Sequence, residues 1–161
     1  MARYTVAGSA TASAAYVTAV LVVASSSNNG GLRRGRLYEM IMGATSSPNA
    51  TDCAIQYALT RVSASGSFAG TSFAPNVVDP ADASTPSALA WITATAESSS
   101  PGMASTDVLN IGLNQRNSQR WQVVDPAQMI VWPATAFNGL AARALSATYA
   151  GSVGVTLSFE E

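Results

Sequence analysis

Lysine and histidine are both missing from these 161 residues, and cysteine occurs once. Without histidine there is no imidazole base and no imidazole metal ligand. Without lysine there is no Schiff-base amine and no phosphate-loop ammonium. The single Cys53 cannot close an internal disulfide, and its place on the apolar face of a strand-like run marks it as a core thiol. Charge is sparse: 11% of residues are charged, against about 25% in ordinary soluble proteins. All eight basic residues are arginine and the formal net charge is −1, which argues against a general nucleic-acid binder. Nor is there a run of the ~18–20 apolar residues that a membrane-spanning helix requires. Small and uncharged polar residues make up the surface instead, as expected where much of an exterior faces other protein.

What the chain does contain is alternation. In Cys53–Val62, Cys53, Ile55, Tyr57 and Leu59 share one face and Ala54, Gln56, Ala58 and Thr60 the other, the period of a half-buried strand. Arg36–Met42 is less clean. Leu37, Glu39 and Ile41 fall on one face, and Arg36, Tyr38, Met40 and Met42 on the other, so both faces are partly apolar. That suits a central strand, or one covered on its second side by a neighbouring subunit. Further strands are predicted over Ala14–Ala24, Leu89–Ala96, Asp107–Leu113, Gln119–Val124, Met129–Trp132, Leu140–Ser146 and Gly151–Phe159. Between them lie loops at Ser25–Gly31 and Ser98–Thr106, and a turn at Asn138-Gly139. Phe68, Phe73, Val77 and Val78 are expected to anchor a short strand and a loop within Ser63–Ser87. Eight to ten short strands with no convincing helix predict one domain over 1–161: an all-β, antiparallel β-sandwich, jelly-roll-like. Residues 1–13, small and weakly patterned apart from Tyr4–Val6, read as an extended N-terminal arm. Arg3, the apolar stretch and Val22-Val23-Ala24 also imitate a cleavable secretory signal; the single arginine and the interrupting Thr18 favour a strand.

Candidate chemistry is thin. Glu39 and Glu97 lie on or near strands and are the acids a two-carboxylate glycosidase would draw on, but no acid/base pair falls within a motif, so no catalytic residue is assigned. Glu39 instead calls for a guanidinium partner, and Arg61, Arg116 and Arg120 are the candidates. Asp79-Pro80-Ala81-Asp82 lacks the ligand count of a calcium loop and reads as a turn capped by Asp79. No metal or cofactor is expected. Trp91, Trp121 and Trp132 read as core or subunit contacts, with a sugar-stacking platform as the alternative. Asn49-Ala50-Thr51 matches a glycosylation sequon, of consequence only in a secreting eukaryote.

Several phrases together resemble a family of small virion proteins of tailed bacteriophages: RGRLYEMIMGATSSPNATDCAIQYALTR from Gly35 (Arg34 preceding it) to Arg61 with its neighbours, Asp79-Pro80-Ala81-Asp82, LNQRNSQRW at 113–121, and PATAFNGLAARALSATYAGSVGVTLSFEE at 133–161. The resemblance implies a capsid cement or decoration protein, a jelly-roll-like body on the outside of the head, commonly a homotrimer, with the major capsid protein as partner and no direct contact with nucleic acid or membrane. The residues expected to make capsid or subunit contacts are Arg3 and Tyr4 in the arm, Arg33, Arg34 and Arg36 at the strand entry, and Tyr38 and Met40 beyond it. On this view deleting residues 2–12 abolishes attachment and leaves the fold. The competing expectations are a tail or fibre module that binds a host surface glycan through its tryptophans, and a secreted β-sandwich.

Overall fold

The structure, a computed structural model, describes residues 1–25, 31–63, 71–82, 85–92 and 103–161. Twelve strands are present: β1 (Arg3–Thr11), β2 (Val17–Ala24), β3 (Gly35–Ala44), β4 (Ala54–Ser63), β5 (Thr71–Phe73), β6 (Asn76–Val77), β7 (Ala88–Ile92), β8 (Met103–Asn114), β9 (Ser118–Gln122), β10 (Ile130–Trp132), β11 (Asn138–Leu145) and β12 (Ser152–Glu160). A single 3-10 turn, Pro126–Gln128, is the helical content among the described residues, and its Asp125 carboxylate caps the Ala127 N–H. Among the described residues no helix is long and apolar enough to cross a membrane.

The strands form two antiparallel six-stranded sheets. The first runs β10-β3-β12-β1-β6, with β9 also paired to β3 on the β10 side; the second runs β5-β7-β2-β11-β4-β8. The chain crosses between sheets at each of its first three connections. As a result β1-β12-β3-β9 lies in one layer and β2-β11-β4-β8 in the other, the strand order of a jelly roll. Strands β5, β6, β7 and β10 are additions at its margins.

Alternation explains the layers. In β12, Val153, Val155, Leu157 and Phe159 point into the sandwich, where Tyr4, Val6, Leu37, Met40, Met42, Ile55, Tyr57 and Leu59 meet them. Strand β2 is apolar from Ala19 to Ala24 because it is buried on both faces. Val20 and Val22 join this core, while Leu21 and Val23 form a second buried cluster with Val62, Trp91 and Ala141 on the opposite side of the second sheet.

Five expectations are corrected. Residues 1–13 are extended but do not reach away from the body: Arg3–Thr11 pairs along its whole length with β12, and Tyr4 and Val6 are core residues. Removing 2–12 would take a strand out of the first sheet. The two-sided reading of β3 comes from a bulge. Ser158 pairs with Glu39 but Phe159 with Leu37, leaving Tyr38 as the extra residue. The bulge switches which alternate positions face inward, so Leu37, Met40 and Met42 are inside and Glu39 and Ile41 outside. The pattern therefore carries no sign of a covering subunit. Asn138-Gly139 opens β11; the turn precedes it, with Phe137 in the left-handed region at φ 62°. The Ser98–Thr106 loop gives way to β8 from Met103. Two short strands, β5 and β6, stand where one was expected. The Asp79 turn is as anticipated, its carboxylate accepting from the Ala81 N–H at 2.9 Å. Phe68, Glu97, the 26–30 loop and the 93–102 stretch lie outside the described residues.

Candidate interaction surface

The outer face of the first sheet is built in cross-strand rows. Ser9, Gly154, Gly43 and Ser118 line up across β1, β12, β3 and β9; Ala7, Thr156, Ile41 and Arg120 form the next row. Small side chains in both rows leave a shallow open depression of about 570 Å³. The following row holds the Glu39 carboxylate, which Arg120 meets in an ion pair and to which the Ser158 hydroxyl donates at 3.1 Å. Of the three candidate partners for Glu39, Arg120 is the one the register delivers: it sits on β9 opposite Ile41, two pairs from Glu39 and on the same face. Arg61 donates to the Val131 carbonyl and Arg116 pairs with Asp52.

Beyond Glu39 the sheet ends in a group of arginines and exposed apolar side chains. Arg36 pairs with Glu160 at 3.7 Å. The Arg3 guanidinium lies 5.8 Å from the centre of the Tyr38 ring, within cation–π range. Burial pushes the Tyr38 phenol above its usual range, an effect that the neighbouring Arg3 charge opposes. Arg33 and Arg34 stand exposed just before β3, and no ion pair joins them to another described residue. Around this end lie Met1, Val77, Val78 and Val124, four of the six exposed large apolar side chains among the described residues, with Val124 96% exposed. Connections fix the grouping: the Val78 N–H donates to Arg3 O, and the Val123 N–H to Tyr38 O. Of the sequence-predicted contact residues, Arg3, Arg33, Arg34, Arg36 and Tyr38 thus gather at one end of the sandwich. Tyr4 and Met40 are core residues and take no part in the surface.

The tryptophans are turned inward. Trp132 is 1% exposed and packs edge-on against Phe159, with ring centroids 5.2 Å apart; Trp91 belongs to the second buried cluster, and Trp121 packs on the main core. The phrases TSSPNATD and LNQR meet at the other end of the sandwich. There the Gln115 side chain accepts from the Asn49 N–H at 3.0 Å and donates to Thr51 O at 2.8 Å. Arg116 meets Asp52 at 2.6 Å and holds its carboxyl below the ordinary range. Cys53 is buried in the same knot, accepting from the Asn49 side-chain amide at 3.4 Å.

A polar network that sequence reading missed occupies the outer face of the second sheet. Asp107 pairs with Arg143 at 2.8 Å and accepts from the Thr60 hydroxyl at 2.6 Å, while Arg143 also stacks over Tyr16 at 4.4 Å. Its members are 36 to 127 positions apart in the chain. Their polarity on strand faces that read as solvent-exposed was the available signal. Among the described residues no three His, Cys, Asp or Glu side chains gather as a metal site would need. No family model, no curated protein and no solved structure matches the chain.

Proposed function

We propose that this chain is a non-enzymatic structural protein of a phage virion, which binds the outer surface of an assembled head through contact with the major capsid protein and stabilises it. The observation that carries the reading, beside the sequence resemblance, is the end of the first sheet. Arg3, Arg33, Arg34, Arg36 and Tyr38 lie there among exposed Met1, Val77, Val78 and Val124. Arginine, an aromatic and exposed aliphatics in one patch are the composition of protein-binding surfaces. A protein that binds the assembled lattice and not its free subunits stabilises the assembly by mass action. The rigid two-sheet body and the low charge fit that task. Glu39 and Asp107 are both held by arginine, which supports a structural use of these acids. The trimer rests on the resemblance alone. Trp91 and Trp132 are buried and Trp121 is partly buried, which favours this reading over glycan binding through a tryptophan platform.

The test is co-sedimentation of the purified protein with mature heads stripped of it. Saturable binding at a fixed ratio to capsid protein, and heads that resist heat in proportion to occupancy, are expected. Arg33→Glu with Arg34→Glu changes only exposed loop side chains and is expected to weaken the binding while leaving the fold. Absence of binding by the unmodified chain overturns the proposal.

A further inference from the structure

Among the described residues β8 pairs with β4 alone, so one side of it is an open edge. Natural sheets blunt such edges with lysine, proline, bulges or very short strands. Here irregular register is the device: one shift lies between Val62↔Met103 and Thr60↔Asp107, and a bulge follows at Val108, where the register steps from Thr60↔Asp107 to Leu59↔Leu109. Past it, Leu109–Asn114 carries neither proline nor charge. Asp107 itself is engaged by Thr60 and Arg143. The backbone shows which groups are open. The Gln115 N–H donates to Cys53 O at 2.9 Å, and residues two apart on an antiparallel strand point the same way. Leu109, Ile111 and Leu113 therefore bond toward β4, and the N–H and C=O groups of Asn110 and Gly112 point outward. The side chains of Leu109, Ile111 and Leu113 pack against the core yet are only partly buried, with no further strand beside them among the described residues.

We propose that β8 pairs with β8 of a second copy of this chain, antiparallel about a twofold axis through Ile111. In that register Ile111 meets its own equivalent and Leu109 meets the other copy's Leu113, so each half-covered apolar side chain gains an apolar neighbour. Asn110 falls opposite Gly112, where a Cβ would meet nothing within 4 Å, and the open groups of these two residues form about four backbone hydrogen bonds. The strand carries in itself the partners it needs in the order it needs them, and no like charges meet across the axis. The contact is isologous and closes on two copies. It stands independently of the virion reading.

Sedimentation of the full chain is expected to show a concentration-dependent dimer. Asn110→Pro removes an outward N–H without touching the β4 ladder, and should weaken the dimer on the order of tenfold or more with an unchanged circular dichroism spectrum. Ile111→Cys should yield a disulfide-linked dimer on mild oxidation, where the unmodified protein, with Cys53 buried, should not. The cross-link decides the matter if Asn110→Pro does not fold. A chain monomeric at high micromolar concentration, a trimer indifferent to Asn110→Pro, or an Ile111→Cys protein that does not cross-link overturns the proposal.

Discussion

Glu161 accepts two hydrogen bonds from Ser87, one from the backbone N–H at 2.9 Å and one from the hydroxyl at 3.1 Å. A third comes from the Ala88 N–H at 3.0 Å. The side chain that follows the last strand of the first sheet thereby holds the start of β7 in the second. Hydrogen bonds to a charged acceptor contribute roughly 1.5–3 kcal/mol. Glu161→Ala should lower unfolding free energy by about 1–3 kcal/mol in urea titrations, and an unchanged midpoint would refute this clamp.

The Glu39–Arg120 pair gives a second expectation. Glu39 is buried and Arg120 largely exposed, so screening limits what the pair contributes while removing the arginine strands a buried charge. Arg120→Ala should cost about 1–2 kcal/mol. Pairing it with Glu39→Met should recover most of the loss, because neither charge then remains to be solvated. Failure of the double variant to recover would show that the ion pair does more than neutralise Glu39.

Two glycines make opposite predictions. A Cβ on Gly139 would lie 1.8 Å from Val22 O, whereas one on Gly112 would meet nothing within 4 Å. Gly139→Ala should therefore destabilise by about 3 kcal/mol or more, and Gly112→Ala should leave the thermal midpoint of the isolated chain nearly unchanged. Comparable midpoints for the two variants would contradict the close approach of β11 to β2.

Tyr57 predicts an alkaline limit. Its ring is buried, its hydroxyl has no partner among the described residues, and burial pushes its phenol well above the ordinary 10.0. The folded chain keeps it neutral while the unfolded chain ionises near 10.0. Its contribution is therefore complete below that pH and lost as pH rises above it, at roughly 1.4 kcal/mol per pH unit. Tyr57→Phe should match the parent at pH 7 and lose stability less steeply under alkaline conditions. Parallel pH–stability curves would show that Tyr57 ionises freely in the folded state.

Much of the fold was legible because its central strands repeat cleanly. Alternation in Cys53–Val62 and Gly151–Phe159 places β4 and β12 directly, and the continuous apolar run before Ser25 is what a strand buried on both faces requires. Strand β1 was hidden because Ala7, Gly8, Ser9 and Ala10 are too small to carry a hydropathy signal; only Tyr4 and Val6 stood out. The bulge at Tyr38 was invisible for another reason. A single extra residue reverses inside and outside without changing composition, and that reversal mimicked a second apolar face. The arginine cluster before β3 was legible as charge, but its meeting with Arg3 and Tyr38 depends on β12 lying between β1 and β3. The Asp107–Arg143 pair needed the adjacency of β11, β4 and β8, which no local pattern contains.

That β1 and β12 are neighbours has a consequence for how the chain reaches this state. Tyr4 pairs with Phe159 and Thr11 with Ser152, so apart from a short pairing of Tyr4 and Thr5 with β6 the ladder of β1 must wait for a strand about 140 or more positions further along the chain. Closing so long a loop is entropically expensive, and folds ruled by such pairings are slow. Until β12 is made, Val6–Thr11 has no ladder partner among the described strands, and only Tyr4 and Thr5 can pair, with β6. Its small, weakly apolar residues at Ala7–Ala10 keep it from sticking to anything else in the meantime.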